Sequence, residues 1–258
     1  MNPSVMEGDS PLLLAQPHGG VWVPDEILAR FNEKGRTLAD TDWHISRLYA
    51  DLVSDITVVS TPVHRYVIDA NRGSDDASLY PGQNTTGLCP DTNFDGEPIY
   101  LTGQSPSVEE IAERQAVYHQ PYHDALALQL ERLKAKHGYA ILYDCHSIRS
   151  QVPYLFSGRL PDLNIGSNDG KSCRSDIQNA IEAACARHPN YRQASNGRFK
   201  GGWTTRYYGQ PDNNQHAIQM ELAQICYMRE QAPWDYLPNK AQNLRGVLRE
   251  VLQALLRL

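Results

Sequence analysis

Short apolar or β-branched runs alternate with segments of helical spacing along this chain, and that alternation constrains the fold most strongly. Residues 11–15, 56–60, 65–69, 139–145 and 216–222 have the pattern of strands. Residues 40–54, 107–136, 171–187 and 240–256 have the spacing of helices. Such alternation is typical of an α/β sandwich with a parallel or mixed sheet. No linker or repeat divides residues 1–258, so we expect a single domain, with residues 1–10 as a candidate disordered tail.

The segment at residues 72–103 interrupts this alternation. It is rich in Gly, Pro, Asn, Asp and Thr and has no periodicity, so it is predicted to be a long loop. Loops of this length in compact domains are usually functional or disordered, and the aromatic and apolar residues of this one favour an ordered, functional loop. We expect residues 82–89 to act as a lid, with glycine supplying unusual backbone angles.

The composition argues against several classes of protein. The formal net charge is −6, from 30 acidic and 24 basic residues, and no cluster of Lys and Arg is present, so nucleic-acid binding is not expected. No apolar run reaches the length of a membrane span and no signal-peptide pattern is present, so we expect a cytoplasmic protein that does not bind membranes. The five cysteines lack the spacing of a disulfide framework or a zinc site and are predicted to be reduced thiols.

Candidate ligands and acids stand at the ends of three predicted strands. His18 follows the first strand, His146 follows the strand that ends at Cys145, and Glu221 lies near the end of the last strand. In open α/β sheets, sites form where strands end and loops begin. Two histidines and a carboxylate leave one open position for water, as a hydrolytic zinc site requires. A histidine at a strand end is also a common structural residue, so both interpretations stay open at this point.

Several long strings of the sequence are similar to those of one enzyme family. They are DTDWH at residues 40–44, LYPGQNTTGLCP at 79–90, FDGEPIY at 94–100, HSIRS at 146–150, GRLPDLN at 158–164, FKGGWTTRYYG at 199–209 and MELAQ at 220–224. Through these strings, and from about Leu12 to the C-terminus, the chain resembles the N-formylglutamate amidohydrolase family. The resemblance implies hydrolysis of N-formyl-L-glutamate to formate and L-glutamate, the last step of a histidine-degradation route. It also implies a three-layer α/β/α sandwich with a mixed sheet, similar to zinc carboxypeptidases and aspartoacylase.

The kinship with those two groups implies a set of metal ligands. Their pattern has a first histidine, a glutamate three residues later and a second histidine, which suggests His18 and His146 in this chain. Val21 stands three residues after His18, so the middle ligand must come from elsewhere. Asp42 is the preferred candidate, Asp40 the next and Glu26 the third. The expected metal is zinc or another divalent transition metal.

The same kinship implies the remaining site residues. Glu221 is expected to act as the general base, and Arg65 to stabilise the oxyanion. Asn71 and Arg72 are expected to bind one carboxylate of the dianionic substrate, because a guanidinium offers two parallel donors to a carboxylate. The candidates for binding the second carboxylate are Arg149 and Arg206.

Three alternatives remain from the same residues. The first keeps the mechanism but changes the acyl group, and the size of the pocket would decide it. The second is a non-catalytic protein that senses acylated amino acids through a degenerate site. The third is a cysteine hydrolase that uses Cys145 and His146, which is disfavoured because adjacent strand residues point to opposite faces. We expect a monomer or small homo-oligomer whose partner is the small anionic substrate N-formyl-L-glutamate.

Overall fold

One sheet forms the centre of the fold. The computed structural model describes residues 1–78 and 82–258. Within these residues the strands are β1 (Ser4–Met6), β2 (Leu12–Gln16), β3 (Thr57–Ser60), β4 (Ala140–Ile148), β5 (Leu163–Gly166), β6 (Gln193–Ser195) and β7 (Gln215–Ala223). Their order across the sheet is β1–β3–β2–β4–β7–β5–β6.

The strand directions make this a mixed sheet, as predicted. β3, β2, β4 and β7 are neighbours and run parallel to one another. β1 is antiparallel to β3, β5 is antiparallel to β7, and β6 runs parallel to β5 at the far edge. Because the four central strands are parallel, their carboxyl ends meet at one edge of the sheet, which is where α/β proteins build their sites.

Helices cover both faces of the sheet. They are α1 (Asp25–Leu28), α2 (Glu33–Arg36), α3 (Ile45–Tyr49), α4 (Val108–Arg114), α5 (Gln120–His137), α6 (Ser175–Ala186), α7 (Trp203–Tyr208) and α8 (Pro238–Leu255). On β2, Leu12 and Leu14 join a core with α3, α6 and α8, while Leu13 and Ala15 join a second core with α5. The predicted three-layer α/β/α sandwich is therefore present. Among the described residues, no helix combines the length and apolar character that a membrane span needs.

The long helix predicted at residues 107–136 is present, with an irregular turn in its middle. Ser107 caps α4 by accepting a hydrogen bond from the N–H of Glu110, and Gly138, with φ of 79°, ends α5. Residues Gln115–His119 form a π-helical turn between the two α-helices. Such turns insert an extra residue and re-aim side chains, often beside functional sites. Here the turn brings the His119 side chain to the backbone of Arg72.

The strand predicted at residues 65–69 is wrong. These residues form a turn that is closed by a hydrogen bond from the N–H of Val67 to the carbonyl of His64. The run is apolar because Tyr66, Val67 and Ile68 are buried in a core beneath the loops, and not because it pairs in the sheet. β3 already has β2 and β1 as its neighbours, so it has no edge left for a further strand.

Two further expectations differ from the structure at their boundaries. The helix predicted at residues 40–54 is limited to α3, because the N–H of Asp42 bonds to the carbonyl of His18 and Asp51 turns the chain with φ of 56°. Residues 4–6 of the candidate disordered tail form β1 instead. This segment pairs with the edge of β3 that β2 does not occupy, and these backbone hydrogen bonds explain its order.

Candidate metal centre and active site

Polar side chains converge at the carboxyl ends of β2, β4 and β7. His18 lies two residues beyond β2, and His146 on β4 is directly opposite Glu221 on β7. Asp144 stands two residues before His146 and so projects from the same face of the sheet. Cys145 projects into the core on the opposite face, so the geometry excludes a nucleophile–base pair of Cys145 and His146.

His18, Asp42 and His146 each bring one potential ligand atom within 4.8 Å of the others. All three side chains are buried. Asp42 Oδ2 lies 3.3 Å from His146 Nδ1 and 3.8 Å from His18 Nδ1. The backbone fixes the position of Asp42, because its N–H donates to the carbonyl of His18 at 3.0 Å. The preferred candidate for the third ligand therefore lies with the two histidines.

The other two candidate carboxylates lie apart from the histidines. Asp40 Oδ2 accepts hydrogen bonds from the hydroxyl of Tyr66 and from the backbone of Phe94, both at 2.7 Å. Asp40 therefore anchors a neighbouring loop. Glu26 lines a separate surface depression beside Arg30.

The cluster fits a divalent metal ion. His18 Nδ1 and Asp42 Oδ1 are buried and form no hydrogen bond with any described residue. Buried polar atoms are rarely left in that condition, and a metal ion would satisfy both. Ligand atoms about 2.0–2.1 Å from a tetrahedral zinc lie roughly 3.3 Å apart; Asp42 and His146 have this separation, and Asp42 and His18 are wider apart at 3.8 Å. Two imidazoles and one carboxylate are also the donors that hydrolytic zinc sites use.

Asp69 holds the groups around this cluster in place. Its Oδ1 accepts hydrogen bonds from His18 Nε2 at 2.7 Å and from the backbone N–H of Asn71 at 2.9 Å. Its Oδ2 accepts from Arg65 Nη2 at 2.9 Å. Because Nε2 of His18 donates to Asp69, Nδ1 is the ring atom that can bind a metal. Burial alone would raise the pKa of Asp69, but attraction to His18 and Arg65 holds that pKa well below its ordinary value.

Asp144 lies beside His146, but the Oδ1 atom that faces the ring forms no hydrogen bond with any described residue. Its Oδ1 lies 3.0 Å from His146 Nε2, and its Oδ2 accepts a hydrogen bond from Thr205 of α7 at 3.1 Å. Asn71 Nδ2 donates to Nε2 at 3.0 Å, because Asn71 Oδ1 accepts from the N–H of Thr204 and so fixes the orientation of the amide. Binding of a metal through Nδ1 would place the ring proton on Nε2, where Asp144 Oδ1 would accept it. Burial acts to lower the pKa of His146, but the carboxylates of Asp144, Asp42 and Glu221 together outweigh it and raise that pKa. The negative charge around the ring favours a bound cation.

Glu221 is buried and lines the same pocket as the two histidines. Gln219 Nε2 donates to Glu221 Oε2 at 3.0 Å, and Gln219 Oε1 accepts from the N–H of Gly202 at 2.7 Å. Since a backbone N–H can only donate, it determines which end of the Gln219 amide meets the carboxylate. Burial raises the pKa of Glu221 to about 8, a range in which a carboxylate can accept and return a proton.

His18, Asp69, His146 and Glu221 line a pocket with a cavity volume of about 100 Å³. Asn84, Thr85 and Thr86 line it from the loop that is predicted to act as a lid. Residues 79–81 of that loop lie outside the described residues, and the lid itself stays a prediction. Three arginines also line the pocket, and they are Arg65, Arg72 and Arg198. Apolar side chains around them include Phe94, Leu155 and Phe199.

The two arginines expected to bind a second carboxylate lie outside this pocket. Arg149 donates to Asp95 Oδ2 at 2.9 Å, and Arg206 Nε donates to the carbonyl of Gly201 at 3.0 Å. Neither residue lines the pocket. Arg198 lines it instead, from the loop before α7.

The segment that carries Asn71 and Arg72 is held through its backbone. His123 Nε2 on α5 lies 2.9 Å from the carbonyl of Ala70, and His119 Nε2 in the π-helical turn lies 2.8 Å from the carbonyl of Arg72. The two histidines therefore hold the backbone on both sides of Asn71. Both Asn71 and Arg72 line the pocket.

Comparison with known proteins identifies the family. The profile of the family described as N-formylglutamate amidohydrolase matches residues 10–228. The chain belongs to the N-formylglutamate amidohydrolase family. It is 49% identical over 255 residues to an N-formylglutamate deformylase from Pseudomonas aeruginosa, a match that covers 98% of this chain and 95% of the relative. It is 45% identical to an N-formylglutamate deformylase from Pseudomonas putida, with the same coverage.

Two solved structures share the fold of this member of the N-formylglutamate amidohydrolase family. An N-formylglutamate amidohydrolase from Ralstonia eutropha JMP134 matches with a TM-score of 0.82 at 24% identity, over 98% of this chain and 97% of that one. A gene product from Agrobacterium tumefaciens matches with a TM-score of 0.75 at 17% identity, over 98% and 94% of the two chains. At these identities the likeness establishes the fold alone. The predicted family and fold class are confirmed.

Some supporting residues of this N-formylglutamate amidohydrolase family member carry a sequence signal that points to them. Asp144 and Gln219 stand two residues before His146 and Glu221, so the period of a strand puts each pair on one face. Arg198 has no comparable signal, because it lies in a loop whose path depends on tertiary packing.

Replacing Asp69 by Asn is expected to weaken metal binding by roughly 10- to 100-fold, because the amide lacks the charge that orients His18 and raises its basicity. Competition with a chromophoric chelator measures the affinity. Asp212→Asn, at an exposed aspartate between α7 and β7, is the matched control and should keep the wild-type affinity. Equal affinities for Asp69→Asn and the wild type would contradict the orienting role of Asp69.

Proposed function

We propose that this chain hydrolyses N-formyl-L-glutamate to formate and L-glutamate, with a divalent metal bound by His18, Asp42 and His146. The observation that carries the proposal is the buried cluster of these three residues, with Glu221 in the same pocket. The choice of substrate is supported by the relative from Pseudomonas aeruginosa that is named N-formylglutamate deformylase and is 49% identical along almost its whole length.

The donor set favours zinc, although other divalent transition metals bind the same ligands. When bound, the metal supplies Lewis acidity and lowers the pKa of water. Proton transfer, charge stabilisation and substrate orientation are the work of the chain's own residues.

Glu221 is the proposed general base and general acid. It takes a proton from the water whose oxygen adds to the formyl carbon. When the bond between the formyl carbon and the nitrogen breaks, Glu221 returns that proton to the nitrogen of the leaving L-glutamate. The second proton of the water leaves the formic acid and brings the amine of L-glutamate to its ammonium form, so that formate is the other product. The hydrogen bond from Gln219 to Oε2 fixes the plane of the carboxylate during both transfers.

Arg65 is proposed to stabilise the negative charge that develops on the formyl oxygen. Its guanidinium is buried and lines the pocket, bound to Asp69 Oδ2 at 2.9 Å and 3.9 Å from Asp42 Oδ1. Its central carbon also lies 4.7 Å from the ring centroid of Phe94. A cation that is fixed beforehand in a dry site stabilises the transition state without reorganising during the reaction.

Asn71 and Arg72 are proposed to bind the α-carboxylate, which is attached to the carbon next to the amide nitrogen. Both residues line the pocket. Arg72 Nε lies 3.8 Å from Asp69, and Asn71 Oδ1 accepts a hydrogen bond from the N–H of Thr204 at 2.8 Å, so both are held beside the cluster. Arg149 and Arg206 have no role in this proposal.

The biological setting expected from the sequence stays a prediction. It comprises a cytoplasmic location, the last step of a histidine-degradation route, and a monomer or small homo-oligomer. The reaction itself can be tested independently of that setting, because purified protein and substrate are sufficient.

Formate release from N-formyl-L-glutamate tests the proposed reaction. The protein is expected to release formate, to lose this activity when a chelator removes the metal, and to regain it when zinc is added. N-acetyl-L-glutamate is the control substrate and should be cleaved at least roughly tenfold more slowly, because a site shaped for the formyl hydrogen must exclude a methyl group. No formate from metal-replete protein would contradict the proposal, and faster cleavage of the acetyl compound would favour a hydrolase of another acyl group.

Replacing Glu221 by Gln is expected to lower kcat by roughly 100- to 10,000-fold, because the amide has nearly the same shape but does not accept the proton. Elemental analysis should find an unchanged metal content, since Glu221 is not a proposed ligand. Glu250→Gln, which removes a surface partner of Arg187, is the matched control and should keep the wild-type kcat. A kcat of Glu221→Gln within a few-fold of the wild type would rule out its role as general base.

Replacing Gly202 by Ala is expected to displace Asn71 and to lower kcat/KM for formate release at least about tenfold. The reason is steric, because a Cβ at Gly202 would lie 2.3 Å from Asn71 Nδ2. Gly246→Ala is the control, since a Cβ there meets nothing within 4 Å and alanine suits the middle of α8. Wild-type kcat/KM in Gly202→Ala would show that the placement of Asn71 does not limit the reaction.

A further inference from the structure

The pocket has an outer part to which the proposed mechanism assigns no role. Asn84, Leu155 and Arg198 line both the pocket and the surface depression beside it, so they form the mouth of the pocket. His18 and Glu221 line the pocket but not that depression, and both side chains are buried, so they belong to its floor.

Arg198 is the charged member of the three mouth residues. Its Nε donates to the carbonyl of Leu155 at 3.2 Å, and its guanidinium carbon lies 5.3 Å from the ring centroid of Phe199. The side chain is half-buried. These contacts orient the planar group at the mouth, and a guanidinium that is oriented and partly desolvated pairs well with a carboxylate.

The other two arginines that line the pocket, Arg65 and Arg72, lie at its floor and not at its mouth. Arg65 is bound to Asp69, which also holds His18, so Arg65 belongs to the floor. Arg72 lies 3.8 Å from the same carboxylate and belongs there as well. Arginine side chains therefore lie at two depths of one pocket, with Arg65 and Arg72 at the floor and Arg198 at the mouth.

The proposed substrate has its two carboxylates at different distances from the bond that breaks. The α-carboxylate is attached next to the amide nitrogen and stays near the floor when the formyl group is at the metal cluster. The side-chain carboxylate lies beyond the methylene groups and extends outward. The spacing of charge in the substrate thus matches the two depths at which the arginines lie in the pocket.

We infer that Arg198 binds the side-chain carboxylate of the substrate and makes the pocket selective for N-formyl amino acids with an acidic side chain. The inference rests on the proposed function, since it names the substrate class of the same site. Leu155 and Phe199 line the pocket next to Arg198 and pack against the methylene groups. A neutral side chain of the same shape does not form this ion pair, and that difference produces the selectivity.

The test compares N-formyl-L-glutamate with N-formyl-L-glutamine, which has nearly the same shape and no charge on its side chain. Arg198→Gln is expected to lower kcat/KM roughly 100-fold for N-formyl-L-glutamate and less than about threefold for N-formyl-L-glutamine. Arg198→Lys keeps the charge without the planar fork and should recover part of the loss. Arg174→Gln, at an exposed arginine paired with Asp176 at the start of α6, is the matched control and should not change either value.

Two results would overturn the inference. Equal losses on both substrates would indicate that Arg198 supports the fold of the mouth instead of selecting the substrate. An unchanged kcat/KM for N-formyl-L-glutamate in Arg198→Gln would show that the side-chain carboxylate binds elsewhere.

Calorimetric binding to the zinc-loaded Glu221→Gln protein separates this inference from the proposed reaction. Adding Arg198→Gln in that background is expected to weaken binding of N-formyl-L-glutamate roughly 100-fold and to leave binding of N-formyl-L-glutamine nearly unchanged. That selective loss of binding supports the role of Arg198 even if the wild-type protein releases no formate. The absence of formate would overturn only the proposed hydrolysis. Loss of binding for both ligands, or for neither, overturns the inference even where hydrolysis is fast.

Discussion

The buried carboxylate of Asp69 joins parts of the site that no regular secondary structure holds together. It accepts hydrogen bonds from His18, from the guanidinium of Arg65 and from the backbone of Asn71, which come from two loops at the end of the sheet. These bonds offset the cost of burying a charge, and the attraction to His18 and Arg65 keeps the pKa of Asp69 low. Loss of the Asp69 carboxylate would free the His18 ring to rotate and would leave Arg65 as a buried cation without its nearest partner. The metal cluster and the proposed oxyanion site therefore depend on the same residue.

The sheet supplies the rigid half of the site. His146 and Glu221 are opposite each other on parallel strands, so their separation is set by the sheet rather than by a flexible loop. Helix α7 then supports both strands from one side, because Gly202 at its start bonds to Gln219 and Thr205 within it bonds to Asp144. The loops that bring Asp42, Asn71 and Arg198 are held against this frame.

The strands and long helices with strong periodicity could be predicted from the sequence, and so could the histidines and the glutamate at strand ends. The other elements and site residues depend on tertiary contacts, which the periodicity of the sequence does not reveal. Asp42 could be named only through the family resemblance, because it lies in a turn shaped by its own bond to the His18 carbonyl. Residues 66–68 are apolar because they fill a core beneath the loops. β5, β6 and α7 are too short to give a periodic signal. Arginines are common on surfaces, so only the pocket itself separates Arg198 from Arg149 and Arg206.

Anomalous scattering at the zinc edge, from crystals grown with zinc, shows whether His18, Asp42 and His146 bind the metal. One strong peak is expected about 2.0–2.1 Å from His18 Nδ1, from His146 Nδ1 and from a carboxylate oxygen of Asp42. His18 Nε2 is also expected to keep its hydrogen bond to Asp69, because that bond selects the ligating nitrogen. A peak bound through Nε2 of His18, a peak that excludes Asp42, or the absence of zinc from this cluster would contradict the proposed metal centre.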